Sequence, residues 1–189
     1  LILVGSFYVI MLLAMLAADL TWTTPGDFIK ALSSEEIQYS IRLSLMSCTV
    51  AAILSVWVAV PIGYLMSRFN FFGKGFIDAI LDIPIVLPPL VVGLSLLVLF
   101  SPSAGVWVEE QFKALFGTGI TYQIPSVVLA QFMVACAFAV RTMRTTFDQI
   151  SVRQEDVALT LGCSRFQAFW KVTLPEARNG LITALTLAW

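Results

Sequence analysis

The stretch Ser151–Pro175 reads SVRQEDVALTLGCSRFQAFWKVTLP, a long polar segment set between two apolar runs. Ser151 and Gln154 have the spacing of a capping box, in which a side chain satisfies the orphan donors of a helix start. Glu155 and Asp156 place negative charge in the first turn, where the helix dipole favours it. Val157, Ala158 and Leu161 make one apolar stripe, and Gly162 follows, the residue that most readily takes the left-handed conformation ending a helix. A second box, Ser164 with Gln167, opens the next helix, on which Phe166, Phe169 and Trp170 share a face. Leu174-Pro175 is expected to break that helix. The segment therefore predicts two short helices with a sharp joint, held between membrane spans.

The surroundings fit that reading. Apolar residues make up 59% of the chain and charged residues 12%, with mean hydropathy +0.90. A soluble domain has about 45–50% apolar and about 25% charged residues. The first apolar run, Leu1 to about Ala18, approaches the ~20 residues that cross a bilayer. A signal peptide is the rival reading, with only a weak cleavage signal at Ala17-Ala18-Asp19. The acidic linker from Asp19 to Glu36 contains Pro25 and Gly26. The run opens without an initiator Met, and the chain stops at Trp189 within another apolar run, so the sequence reads as a fragment incomplete at both ends.

The second run, about Ile37 to Ser67, carries Arg42 near its start and Pro61 and Gly63 as expected kink points. An arginine at the bilayer centre costs roughly 2.5–3.5 kcal/mol, so interfacial placement explains Arg42; the alternative is a pathway-facing cation that helps an anion cross. A basic turn with Arg68 and Lys74 leads to the third run, Gly75 to Phe100. Lys74, Asp78 and Asp82 share a helix face there, and a Lys74–Asp78 pair accounts for the first carboxylate. Pro84, Pro88 and Pro89 should interrupt this run, since each interior proline costs a helix about 3 kcal/mol. Membranes tolerate such breaks where protein or a water cavity re-satisfies the freed carbonyls, so this segment is expected to face the bundle interior, as a packing kink or as a pathway or gate element. Ser101 to Gln123 is polar and punctuated by Pro102, Gly105, Gly117 and Gly119, with a short surface helix expected over Val106 to Phe116. The fourth run is Ile124 to about Met143, with Pro125 suited to a helix start. A fifth begins at Pro175, with Thr173 and Glu176 as candidate caps.

Charge sets the topology. Arg68 and Lys74 follow the second run, and Arg141, Arg144, Arg153, Arg165, Lys171 and Arg178 follow the fourth, whereas the other connections are net acidic. The positive-inside rule puts the basic side, and with it Ser151–Pro175, in the cytoplasm. Alternation then makes the first run a span that starts there.

Enzyme chemistry finds no residues. The chain has no His, the commonest general base and metal ligand. Cys48, Cys136 and Cys163 are odd in number and widely spaced, which suggests neither a disulfide framework nor a zinc cluster. Gly73-Lys74-Gly75 is only a turn, not a phosphate-cradling loop. Catalytic and metal-ligating residues are therefore none. The Ala158 and Gly162 spacing also suits a DNA-binding helix-turn-helix, but the second helix would present Phe166, Phe169 and Trp170 and is pinned to a membrane, so nucleic acid is not expected. A membrane scaffold that transports nothing remains an alternative of another class.

The 151–175 stretch resembles the cytoplasmic loop of permease subunits of ATP-binding-cassette importers, with pattern E-A-A, three residues, G, nine residues, I-x-L-P. Asp156, Val157 and Ala158 stand at E-A-A, Gly162 is the glycine, Val172 replaces the isoleucine and Leu174-Pro175 closes the pattern. The run DIPIVLPPLVVGLSLLVLF looks like the Leu-Pro-Pro helix of molybdate-type permeases. The resemblance covers most of Phe76–Trp189. It implies an all-α, polytopic transmembrane bundle of the type I importer permease type, a single domain over 1–189 with about five spans present and the last truncated. It implies a multi-pass protein of the cell (inner) membrane, lying in a lipid bilayer, with a cytoplasmic coupling loop. Its partners would be ATPase subunits that bind the ATP and Mg, an extracytoplasmic substrate-binding protein and a second permease copy, a homodimer in molybdate-type relatives; no cofactor belongs to the chain. The substrate implied is molybdate or tungstate, with sulfate or thiosulfate as the alternative. The coupling loop would comprise Glu155, Asp156, Ala158, Gly162, Cys163, Ser164, Arg165, Phe166, Phe169, Leu174 and Pro175, with Ala158 to Arg165 at the dock and the phenylalanines packed beneath it or reaching the partner. Pathway or gate candidates are Pro84, Pro88, Pro89, Gly93 and Arg42.

Overall fold

The computed structural model describes residues 2–22, 26, 30, 32–101 and 103–189, so Pro25 and Pro102 lie outside the described residues. Among the described residues every regular element is helical, as an all-α membrane permease fold requires. The chain separates into two compact units, Leu1–Leu45 and Met46–Trp189.

In the first unit, α1 (Ile2–Trp22) is apolar all round, and Phe7, Ile10, Met11 and Leu16 are exposed along it. A helix without a polar face suits lipid or a deep core. Helix α2 (Glu35–Arg68) opens on Glu35 and Glu36 and closes on Arg68, charges of the sign that each helix end favours. Its 34 residues extend about 50 Å, longer than a ~30 Å hydrocarbon core. Arg42 is exposed in its early turns, the placement expected of an interfacial arginine.

In the second unit α2 meets α6 (Ile124–Gln149) and α10 (Arg178–Ala188). The buried positions of α2 include Ser47, Ala51, Ser55, Ala59 and Gly63, one small residue every fourth position. Small residues let helix backbones approach closely where lipid removes the usual hydrophobic drive. Ser55 Oγ donates to Phe132 O at 3.5 Å, and a Cβ at Gly63 would stand 2.9 Å from both Met143 Cβ and Arg144 N. Helix α2 runs through Pro61 without ending, so Gly63 serves close approach rather than a break. Ala59, Ala139, Val140, Met143, Phe147, Ile150, Ala177 and Ala184 form the core. At Gly180 of α10 a Cβ would collide with Thr146, which marks a second close approach.

The third run is broken, at a different proline from the first. Gly73 (φ 87°) starts α3 (Lys74–Val86), which continues through Pro84. Leu87 (φ −72°, ψ 134°) and Pro88 (φ −56°, ψ 139°) are extended, and α4 (Pro89–Phe100) starts at a proline. The residue before a proline is pushed out of the helical region, and Leu87 and Pro88 each precede one. The two helices are bent by 114°. Val92 is buried, but Ile83, Val86, Leu90, Leu94 and Val98 are exposed, so within this chain the segment faces the interior along one side only. Helix α5 (Ser103–Phe116) follows, three residues longer than the sequence suggests, and ends at Gly117 (φ 72°). Glu109 accepts from Thr121 Oγ1 at 2.7 Å and ties α5 to the following turn.

Among the described residues two helices, α2 and α6, are long and apolar enough to cross a membrane, and the bent α3–α4 pair makes a third if it counts as one span.

Candidate functional site

Residues 151–175 fold as two short helices with a sharp joint. Helix α7 (Val152–Thr160) follows Ser151, an extended N-cap residue whose side chain makes no capping bond. The first capping box therefore does not form; Gln154 N donates to the Ser151 carbonyl instead, at 3.1 Å. A tertiary contact of Glu155 orients this helix in place of a local cap. At its far end the joint is a Schellman motif. Cys163 N donates to Ala158 O and Gly162 N to Leu159 O, both at 3.0 Å, with Gly162 at φ 90°. Ser164 and Gln167 form the second box, through Ser164 N to Gln167 Oε1 (2.9 Å) and Gln167 N to Ser164 Oγ (3.3 Å), and open α8 (Arg165–Ala168).

The helix does not break at Leu174-Pro175. It passes through a π turn, Phe169–Thr173, into α9 (Leu174–Glu176), and the regular backbone ends at Ala177 (φ −75°, ψ 0°). A π turn shifts hydrogen bonding to the residue five back, as in Leu174 N to Phe169 O, and so makes room for a proline that has no N–H to give. Thr173 does not cap: it is fully buried, and among the described residues its Oγ1 has no partner.

Glu155 is the anchor. Its Oε1 accepts from Arg68 Nε at 2.8 Å and its Oε2 from Tyr64 Oη at 2.9 Å. The same guanidinium donates Nη1 to Phe147 O (2.9 Å) and Nη2 to Ile150 O (3.0 Å), carbonyls at the inner end of α6. The Arg68 and Glu155 side chains are only 8% and 11% exposed. A buried ion pair is tolerable when its remaining donors and lone pairs are satisfied, as these are. Beneath it Tyr64 stacks edge-on against Phe169 (4.8 Å between centroids) and Phe147 (5.6 Å). One arginine at the end of α2 thus clamps α7 and the end of α6 together.

The site residues divide by face. Glu155 and Ala158 point inward and are buried, Phe169, Cys163 and Leu174 are half-buried, and Asp156, Gly162, Ser164, Arg165, Phe166 and Pro175 are exposed. Leu161 is 80% exposed and Phe166 71%, with Val157 and Trp170 beside them. Of the two phenylalanines, one packs under the loop and the other points outward.

Arg68 and Tyr64 are site residues that sequence reasoning missed. Arg68 counted there only as a cytoplasmic charge, and nothing within a few residues of either side chain points at Glu155. The Lys74–Asp78 pair is also corrected. Lys74 Nζ donates to Asn70 Oδ1 (3.2 Å), while Asp78 pairs with Arg144 and Asp82 with Arg141 (3.1 Å), because α6 presents two arginines to that face of α3.

The pathway candidates fall on elements other than the loop. Pro84 lies within α3, Pro88 is extended and Pro89 begins α4. Gly93 lines an apolar cleft with Leu90, Leu94, Ser126 and Gln131. Arg42 lies in the other unit. Among the described residues no His, Cys, Asp and Glu cluster could hold a metal ion.

The chain is 31% identical over 161 residues to a molybdate/tungstate transport system permease protein of Pyrococcus abyssi, covering 85% of this chain and 58% of that one. A protein of the same description from Pyrococcus furiosus is 35% identical, with coverages of 79% and 54%. A sulfate transport system permease protein of Escherichia coli is 28% identical, with coverages of 94% and 62%. The chain thus spans between 54% and 62% of the length of these relatives. The family model for binding-protein-dependent transport system inner membrane components matches residues 59–189, a region that holds the whole Ser151–Pro175 loop, the Arg68 clamp and the proline-broken segment. With the helical fold and the apolar spans already described, that match means that the chain belongs to the family of binding-protein-dependent transport system inner membrane components.

Proposed function

We propose that this chain is part of the permease subunit of an ATP-driven importer, that it lines the passage of an oxyanion, and that it receives force through Ser151–Pro175. The observation that carries the reading is the two-sided loop. Its inner side is fixed to α2 and α6 by Glu155, Arg68 and Tyr64, while Leu161, Phe166 and Trp170 are offered outward. A rigid lever with an apolar tip suits docking in a groove of a separate ATPase, the chain that would bind ATP and Mg. The basic residues around the loop support a cytoplasmic position for it. An extracytoplasmic binding protein would deliver substrate, and a second copy of the permease would complete the pathway. The transition is a two-state rigid-body motion, biased by the ATPase's differential affinity for the two states.

Molybdate or tungstate is the proposed substrate, from the Pyrococcus relatives. Sulfate is the second reading, favoured by the longer match to the Escherichia coli protein. Copurification of the full-length subunit with its binding protein, then titration of that protein with molybdate, tungstate and sulfate, separates the two. Tightest binding of molybdate or tungstate is expected, and a dominant sulfate response overturns it. The docking role is tested by Phe166→Ala, which removes an exposed side chain. The variant should insert normally and lose ATPase association; unchanged association and unchanged stimulated ATP hydrolysis would sink the assignment.

A further inference from the structure

We infer that the inner ends of α2, α6 and α3 form one polar relay joining the 151–175 lever to the proline-broken segment, with Ser67, Asp148, Arg144 and Asp78 as positioning residues. The chain of contacts is continuous. Arg68, which holds Glu155, is preceded by Ser67, whose Oγ donates to Asp148 Oδ1 at 2.6 Å. Asp148 Oδ2 lies 3.9 Å from Arg144 Nε, and Arg144 Nη1 donates to Asp78 of α3. One turn further along, Arg141 pairs with Asp82 at 3.1 Å. The spacing makes this a ladder: Arg141, Arg144 and Asp148 share one face of α6, and Asp78 and Asp82 share one face of α3.

Three features of α3 make the ladder matter. The helix has no buried residue, and Leu81 is its packing contact with the core. It is bounded by Gly73 at φ 87° and by the extended Leu87-Pro88 pair, so it is a rigid strut with a bendable joint at each end. A cleft of about 240 Å³ lies beside its contact with α6, and Asp78, Asp82, Arg141, Arg144 and Asp148 supply its polar lining. Asp78, Leu81, Asp82 and Ile85 make its half-buried face, so the ion pairs act beside packing in making α3 follow α6. In this arrangement the lever, the inner end of α6 and α3 move as one body, and the bend at Leu87-Pro88 takes up the displacement. The relay rests on the coupling role proposed above.

The test uses the full-length permease with its own ATPase and binding protein in liposomes, with Cys48 and Cys136 replaced by Ser, Cys163 kept, and the same reagent applied to the parent as the control for Cys163. The readout is the ratio of binding-protein-stimulated to basal ATP hydrolysis. Asp78→Cys with Arg144→Cys removes the polar link, and a short bis-methanethiosulfonate reagent restores a covalent one in the same folded sample. The unlinked pair should lose about tenfold of the ratio, and the linked pair should return to within about threefold of the parent. An unlinked pair at the parent ratio, or a linked pair that stays low, overturns the relay. Absence of stimulation in the parent itself overturns the functional reading, and that result does not depend on the link.

Discussion

Two sets of ion pairs hold the loop end of this protein together, and they differ in water access. Arg68 and Glu155, 8% and 11% exposed, fasten the lever, and every strong partner of the guanidinium is a protein oxygen. Asp78–Arg144 and Asp82–Arg141 fasten α3 beside a polar cleft, the second pair being 65% and 45% exposed on its arginine and aspartate. Loss of one partner from a buried pair strands a charge, whereas an exposed pair exchanges its partner for water. The 151–175 loop is thus held by a fixed, buried joint and α3 by a more water-exposed one, so the first carries more of the stability.

Breaking the fixed joint should have the largest effect. Glu155→Ala leaves the Arg68 guanidinium buried without its carboxylate and should cost about 3–5 kcal/mol. Thermal unfolding in detergent and proteolysis at Arg153 and Arg165 would show it; an unchanged melting temperature with an uncut loop would mean that the joint is not fixed. The platform under both joints is next. Gly63→Ala must push against Met143 and Arg144 at 2.9 Å and should cost about 1–3 kcal/mol. An unaltered unfolding midpoint would show that α2 and α6 have slack there. Gly162→Ala follows. Nothing lies within 4 Å of the added carbon, so its cost of about 1–2 kcal/mol is purely that of holding a left-handed backbone. Hydrogen exchange should rise at Cys163, whose N–H closes the Schellman motif, and not across α6. The smallest effect belongs to the water-exposed joint. Asp82→Asn should change stability by less than about 1 kcal/mol, and high salt should abolish even that difference. A larger loss would mean that α3 is as firmly fixed as the lever.

Much of the lever was legible from its residues. The left-handed Gly162 and the Ser164–Gln167 box are local devices, read from residues within four positions of each other. The Ser151 box misled because the same short pattern can be overridden, here by a carboxylate drawn to a distant arginine. At Pro84 and Pro175 proline's cost was correctly sensed and its location was not. A helix can run through one proline, or widen into a π turn around another, when the flanking residues are helical. The small-residue stripe Ser47, Ala51, Ser55, Ala59, Gly63 lies in the sequence at a four-residue period, but Gly63 was read there as a kink point and the burial of the stripe came from the structure.

By itself the sequence determined the apolar runs, the joint at Gly162 and the break near Pro88, since hydropathy, backbone preference and helical period act over a few residues; that Phe166 points outward while Phe169 packs beneath the loop came from the structure. Only the tertiary structure decided which charges meet. Arg68 and Glu155 stand 87 positions apart and Asp78 and Arg144 stand 66 apart. No local rule selects among the chain's many carboxylates and cations; the choice is made when α2 and α6 pack along their small residues and bring those groups to one end of the bundle.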